Sequence, residues 1–190
     1  MAEIIDWLNH RLPDDAILTN GAGNYAVWLQ RFYQFRQYRT QLGPTNGSMG
    51  YGVPAAVAAK LTCPDRVVVS FSGDGCFLMN GQEIATAAQY GANVIFVVIN
   101  NGMYGTIRMH QERNYPGRVS GTDLHNPDFA ALAQAYGLHG EVVSNTCEFA
   151  PAFERCLGSY GPSLIEVRID PEALTPRLSL TQIREQSSKK

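Results

Sequence analysis

Two short loops carry the residues of this sequence best suited to chemistry. Gly73-Asp74-Gly75-Cys76 follows the run Arg66-Val67-Val68-Val69-Ser70-Phe71-Ser72, and Asn100-Asn101-Gly102 follows Val94-Ile95-Phe96-Val97-Val98-Ile99. In the first loop the glycines let the backbone turn tightly and come close to a ligand, while Asp74 offers a hard anionic oxygen. Mg²⁺ takes near-octahedral oxygen ligands and is usually held by one or two carboxylates together with substrate phosphates. In the second loop Asn101 can add a neutral amide oxygen, and the turn after it can present a backbone carbonyl, that of Met103. Backbone N–H groups at the starts of the helices that follow suit diphosphate oxygens. A single carboxylate leaves the ion positive enough to attract a diphosphate, so the set is suited to anchoring a Mg²⁺-diphosphate. Either triplet alone is also an ordinary turn sequence. The pair stands out because 24 residues, 76–99, separate Gly75 from Asn100, which leaves room for a helix and the next strand.

Loops of this kind need a frame, and the apolar pattern describes one. Ile4, Ile5, Leu8 and Leu12 fall at helical spacing over residues 3–12, and Pro13-Asp14-Asp15 ends the pattern. Residues 16–19 read as a short strand, residues 24–35 as a helix, and 36–52 as a polar, Gly-rich stretch with at most a short strand near Tyr38. Pro54 and the alanines after it open a small-residue helix that can pack closely on a sheet. Strands are expected at 66–71, 93–99 and 163–169, with helices at 80–90, from Pro127-Asp128-Phe129 to Tyr136-Gly137, and from the capping pair Asn145 and Glu148 to Leu157. β-Branched runs alternating with helical stretches predict an α/β fold, a largely parallel central sheet with helices on both faces. One domain is expected over residues 1–170, followed by a polar tail or lid over 171–190. Ligands of such sheets bind at the carboxyl ends of the strands, where both loops would lie.

Composition narrows the classes. The 190 residues are 45% hydrophobic, enough for a sizeable core, and only 17% charged, against roughly 25% in an average soluble domain. A net charge of −2 argues against a nucleic-acid or anionic-membrane binder. The longest apolar run, Val94–Ile99, is far short of the roughly 20 residues a membrane span needs, and no signal-peptide pattern is visible. Cys63, Cys76, Cys147 and Cys156 form no C-x-x-C pair, and the histidines have no metal-ligand spacing. Free thiols in a reducing cytoplasm are expected.

Gly73-Asp74-Gly75, the 24-residue interval and Asn100-Asn101 together resemble the cofactor motif of the thiamine diphosphate-dependent 2-oxo acid enzymes. Gly47-Ser48-Met49-Gly50-Tyr51-Gly52 resembles the family's segment around the pyrimidine and thiazolium rings, and Asn101-Gly102-Met103-Tyr104-Gly105 its second metal loop. The likeness runs over roughly residues 3–170 and is strongest to the acetolactate synthase and benzoylformate decarboxylase branch. It implies a diphosphate-binding (PP) domain with thiamine diphosphate and Mg²⁺ as cofactors. By this resemblance Asp74 and Asn101 are Mg²⁺ ligands through their side chains and Met103 through its carbonyl, while Gly75, Cys76, Tyr104 and Gly105 offer N–H groups to the diphosphate. Gly23-Asn24-Tyr25 would contact the terminal phosphate, and Gly47 and Met49 the aminopyrimidine through their backbones. The Met49 side chain would hold the cofactor bent. The implied reaction is decarboxylation of a 2-oxo acid, the product being an aldehyde or a ligated hydroxyketone.

The resemblance also implies what this sequence does not supply. Family members carry a pyrimidine-binding domain whose glutamate acts on the cofactor, and neither Glu83 nor Glu112 is placed for that role. The chain is expected to be the C-terminal part of a longer, oligomeric enzyme, or else a natural subunit whose other chain brings the glutamate. His110 stands where biosynthetic acetolactate synthases typically have a Trp, and it is either part of the substrate pocket or an exposed helix residue. A non-catalytic nucleotide- or diphosphate-binding module is the reading from another class, although no G-x-G-x-x-G marks a strand–helix junction.

Overall fold

Six parallel strands form the centre of the computed structural model, which describes residues 1–189. They are β1 (Ile17–Asn20), β2 (Gln41–Leu42), β3 (Val68–Gly73), β4 (Val94–Asn100), β5 (His139–Val143) and β6 (Ser163–Arg168), in the order β2-β1-β3-β4-β6-β5. Every neighbouring pair is parallel. Side chains alternate across this sheet, so each strand feeds two cores. On one face Leu18, Val69, Phe71, Ile95, Val97 and Ile165 meet α1 (Ala2–Arg11), α2 (Asn24–Phe32) and α8 (Thr146–Leu157). On the other, Ile17, Val68, Val94, Phe96, Val98 and Leu164 meet α3 (Gly52–Thr62), α5 (Ile84–Gln89) and α7 (Phe129–Ala135). Burial on both faces is why β4 reads as an unbroken apolar run and β3 is broken only by the small residues Ser70 and Ser72. The α/β expectation holds, and so does the capping box of Asn145 and Glu148 that starts α8.

Several boundaries move, each for a local reason. The helix expected at 80–90 is preceded by another: the chain turns helical directly at Asp74 in α4 (Asp74–Asn80), then tightens into a 3-10 turn at Gly81–Glu83 before α5. A Cβ at Gly81 would lie 2.6 Å from the Phe77 ring, so this close return needs glycine. The strand expected near Tyr38 lies instead at Gln41–Leu42, at the sheet edge beside β1. Edge strand β5 has no counterpart in the apolar pattern, whereas helix α6 (Gly105–Asn114) supplies the helix expected after the second loop and carries His110. The C-terminal segment, expected as a tail or lid, contains α9 (Leu180–Ser188), whose Leu180 and Ile183 join Met103, Met109 and Leu174 in a third apolar cluster. Among the described residues no helix is long and apolar enough to cross a membrane.

Candidate functional site

Strands β1 and β3 are neighbours, yet the chain leaves β1 for β2 on one side and β3 for β4 on the other. A crevice opens at the carboxyl ends of strands whose connections diverge in this way. A cavity occupies that position, and the first residues of three helices border it: Asn24 and Tyr25 of α2, Asp74, Gly75 and Cys76 of α4, and Gly105 and Thr106 of α6. Helix N-termini direct unpaired N–H groups and partial positive charge toward such a space.

Asp74 sits at its base and is 3% exposed. Its Oδ1 accepts the Gly75 N–H at 2.9 Å, and its Oδ2 accepts the Gly102 N–H and the Asn126 amide, each at 2.8 Å. Burial raises the Asp74 carboxyl above its ordinary pKa, against the opposing pull of these donors. None of the ion pairs among the described residues includes Asp74. A buried carboxylate with no cationic partner is costly, and a bound cation would relieve that cost.

Gly23, Asn24, Tyr25, Gly47, Met49, Gly73, Asp74, Gly75, Cys76, Asn101, Met103, Tyr104 and Gly105 all line this one cavity. The strands and their turns therefore bring together residues spread over more than eighty positions. Met49 is partly buried and packs against the core of α1 and α2, so its side chain is backed from behind. Tyr25 donates its hydroxyl to Cys76 Sγ at 3.2 Å, and the Gly50 N–H reaches the same sulfur at 3.2 Å. Burial, reinforced by the adjacent Cys76, pushes the Tyr25 phenol well above its usual pKa, so it stays a neutral donor. Gly73 is required by contact, because a Cβ there would lie 2.9 Å from Tyr25 Cδ1.

Two expected residues stand apart. Ser48 is exposed and outside the cavity lining, with its hydroxyl and N–H turned to Asn46 Oδ1 at 2.8 and 3.3 Å. His110 is exposed on α6 and lies outside the lining, which favours the exposed-helix alternative; Ile107 of the same helix lines the cavity. Glu83 accepts the Thr86 hydroxyl, and Glu112 is tied to Arg108 and Arg184, so both carboxylates are committed elsewhere.

Two residues of the site, Thr106 and Asn126, were missed, and Asn100 was read only as part of the second loop's motif. Thr106 accepts the Asn24 N–H and donates back to Asn24 Oδ1, both at 3.0 Å, joining the first turns of α2 and α6. Asn126 and Asn100 hold Asp74 and its neighbouring loop. Their signals in the sequence, an Asn before Pro127 and the first Asn of a turn, mark only loop positions.

The donor set of one carboxylate, one amide oxygen and backbone carbonyls is hard and oxygen-based, as Mg²⁺ prefers. With three helix N-termini and an apolar wall of Met49, Trp28, Ile99 and Leu174, the residues present fit a Mg²⁺-diphosphate carrying a ring system. Among the described residues no three His, Cys, Asp or Glu side chains gather into a separate metal cluster.

Comparison with known proteins gives a concordant result. The family model described as "Thiamine pyrophosphate enzyme, C-terminal TPP binding domain" matches residues 21–167. The chain is 38% identical over 167 residues to an acetolactate synthase of Arthrospira platensis, covering 86% of this chain and 29% of that protein. It is 39% identical over 158 residues to the acetolactate synthase large subunit of Corynebacterium glutamicum, covering 80% and 25%. To the acetolactate synthase isozyme 2 large subunit of Escherichia coli it is 35% identical over 169 residues, covering 88% and 31%. The chain thus spans between a quarter and a third of the length of these relatives.

Proposed function

Since the chain belongs to the thiamine pyrophosphate enzymes, as their C-terminal TPP-binding domain, we propose that it anchors Mg²⁺-thiamine diphosphate in an acetolactate synthase-like enzyme acting on a 2-oxo acid. The observation that carries this reading is Asp74: a buried carboxylate without a cationic partner, sharing one cavity with Asn101, Met103 and three helix N-termini.

Each residue then has a physical task. The Asp74 carboxylate, the Asn101 amide oxygen and the Met103 carbonyl hold the cation. N–H groups of Cys76 and Gly105, with those of Gly23 and Tyr25, are offered to diphosphate oxygens and turn the helix dipoles to account; those of Gly75, Asn24 and Tyr104 donate to Asp74 Oδ1, Thr106 Oγ1 and the Thr122 carbonyl, and reach diphosphate only by exchanging these partners. Gly47 and Met49 meet the aminopyrimidine through their backbones. The thioether of Met49, supported by core contacts, fills the space beneath the rings. Trp28, Ile99 and Leu174 keep water from the ring end. When bound, thiamine diphosphate supplies an electron sink for decarboxylation of the 2-oxo acid.

The glutamate that acts on the pyrimidine comes from a pyrimidine-binding domain of the same or another chain, and the complete enzyme is an oligomer. The four cysteines of this chain are free thiols, as suits a cytoplasmic enzyme. Calorimetric titration of thiamine diphosphate with and without Mg²⁺, on the wild type and Asp74→Ala, tests the reading. Mg²⁺-dependent binding that Asp74→Ala abolishes is expected, with NAD and ATP failing to compete. Equal binding by Asp74→Ala, or no binding even with the pyrimidine domain supplied, would sink it.

A further inference from the structure

We propose that Asn126 is a positioning residue of the cation site: its side-chain amide clamps the Asp74 carboxylate to Asn100 and so sets the affinity for Mg²⁺. This rests on the reading of Asp74 as a cation ligand given above. The clamp is a closed square of two donors and two acceptors. Asn126 Nδ2 donates to Asp74 Oδ2 and to Asn100 Oδ1, each at 2.8 Å. The Gly102 N–H donates to the same two oxygens, at 2.8 and 3.0 Å. The ends of β3 and β4 are thereby joined through side chains as well as through the sheet.

The orientations of both amides follow from chemistry. Asn100 Nδ2 donates to Glu166 Oε1 at 2.9 Å, and an ionised carboxylate only accepts. Asn100 Oδ1 must therefore face the square. Glu166 is itself fixed, 1% exposed, by Arg168 Nε at 2.9 Å and the Phe129 N–H at 3.3 Å. Both partners of Asn126 are acceptors, so its Nδ2 must face them. Its Oδ1 is then left buried with no protein hydrogen-bond partner. Leaving such an atom unpaired is costly, and the amide is held in this orientation despite that cost.

The square also divides the labour of the Asp74 oxygens. Oδ2 carries the Gly102 and Asn126 donors, while Oδ1 accepts the N–H of its chain neighbour Gly75. Asn126 fixes the carboxylate plane without supplying positive charge. A Lys or Arg in its place would hold the carboxylate equally well but would neutralise the charge that a cation needs. Outer partners of this kind typically change metal affinity by about 10–100-fold when removed.

Trp28 lines the cavity and reports binding there, whereas Trp7 packs edge-on against Phe149 and Phe153 in the α1–α8 core. Mg²⁺ would be titrated at saturating thiamine diphosphate while Trp28 emission is followed, on the wild type, Asp74→Ala, Asn126→Ala and Asn126→Leu, with thermal midpoints measured alongside. Asn126→Leu keeps the branching at Cγ and removes the amide, and so avoids the cavity of the alanine variant. The expected result is a Mg²⁺ midpoint raised about tenfold or more in both Asn126 variants. Variants that titrate within about twofold of the wild type, with Asp74→Ala impaired, would overturn the clamp and leave the cation reading standing. A lowered thermal midpoint with an unchanged Mg²⁺ titration would likewise overturn it, because that is what a purely structural role gives. No Mg²⁺-dependent quenching in the wild type even with the pyrimidine domain supplied, or none lost in Asp74→Ala, would overturn the cation reading and the clamp together.

Discussion

Replacing Glu112 by Gln should cut the C-terminal helix loose while leaving the sheet intact. Glu112 is 1% exposed on α6, and its carboxylate takes Arg184 of α9 in a two-pronged contact at 2.9 and 2.8 Å, Arg108 at 2.6 Å and the Gly117 N–H at 2.8 Å. Glutamine keeps the shape but turns one oxygen into a donor facing other donors. Arg184 can recover water, being 39% exposed, whereas Arg108 stays buried without its counter-charge. Removing one partner of a buried pair costs about 3–5 kcal/mol. Hydrogen bonds from Arg184, with Gly117 and Arg108 adding to them, hold the Glu112 carboxyl down to about 2 from an ordinary 4.5. A loss of about 3 kcal/mol, the lower end of that range, is a large part of a stability of roughly 5–15 kcal/mol. Because the folded pKa is depressed, this contribution is complete above 4.5 and is lost as pH falls toward about 2. The wild type should therefore lose stability across that window, and Glu112→Gln should lose less there. Urea denaturation at neutral pH and near pH 3, together with hydrogen exchange, reads both effects. Amides of Leu180–Ser188 should lose protection while those of β3 and β4 keep theirs. A loss under about 1 kcal/mol with α9 still protected would refute the reasoning and make the pair an ordinary surface contact.

Gly73→Ala should push the Tyr25 ring aside, since the added Cβ would lie 2.9 Å from Cδ1. A stability loss of about 1–3 kcal/mol and weaker thiamine diphosphate binding are expected by thermal denaturation and calorimetry; an unchanged thermal midpoint would mean that the contact yields freely. Alkylation of the native chain at mildly alkaline pH should mark Cys147, which is exposed, well before Cys76 and Cys156, which are buried. Burial, with Glu141 nearby, pushes the Cys156 thiol up to about 12, so mass spectrometry that finds it modified early would contradict its placement. Phe153→Ala removes a fully buried ring that packs edge-on against Trp7 with centroids 5.5 Å apart. It should cost about 3–5 kcal/mol in urea denaturation, and a value near 1 kcal/mol would mean that the α1–α8 core collapses to fill the space.

Elements were legible where local pattern and tertiary role agreed. Strand β4 is a continuous apolar run, and β3 and β6 are rich in Val, Ile, Leu and Phe, because both faces are covered, and the glycine-flanked Asp74 and paired asparagines mark turns whose spacing matches one crossover. Helix α6 has no bounds in the apolar pattern because its sequence carries no apolar stripe, and the charge that completes its buried Arg108 and Glu112, Arg184, is 72 residues away from Glu112. The same pairing docks α9 where polar composition suggested a tail or lid. Strand β5 begins His139-Gly140-Glu141, with none of the β-branched density of the inner strands, and is held as an edge by pairing with β6. A Cβ at Gly140 would strike the Ala130 backbone, so its lack of a side chain serves packing against α7. Asn126 could not be read at all, since its two acceptors lie 52 and 26 residues before it.

The charges around the cavity constrain what it suits more tightly than any one residue does. The N-termini of α2, α4 and α6 border it, and their fields favour an anion. A site for a bare anion would extend that preference with Lys or Arg at its base. The base is instead Asp74, buried and without an ion-pair partner among the described residues, and its field opposes an anion held by those same helix ends. A bare cation would satisfy Asp74 but would be repelled by the helix termini. The two preferences become compatible when a divalent cation lies against the carboxylate and carries an anion outward to the N–H groups. Asn126 and Asn100 fit this arrangement because they orient the carboxylate while adding no charge to either side of the balance. The apolar wall of Trp28, Met49, Ile99 and Leu174 then requires that the anion bring an uncharged or delocalised body with it, as a thiamine diphosphate does and inorganic pyrophosphate does not.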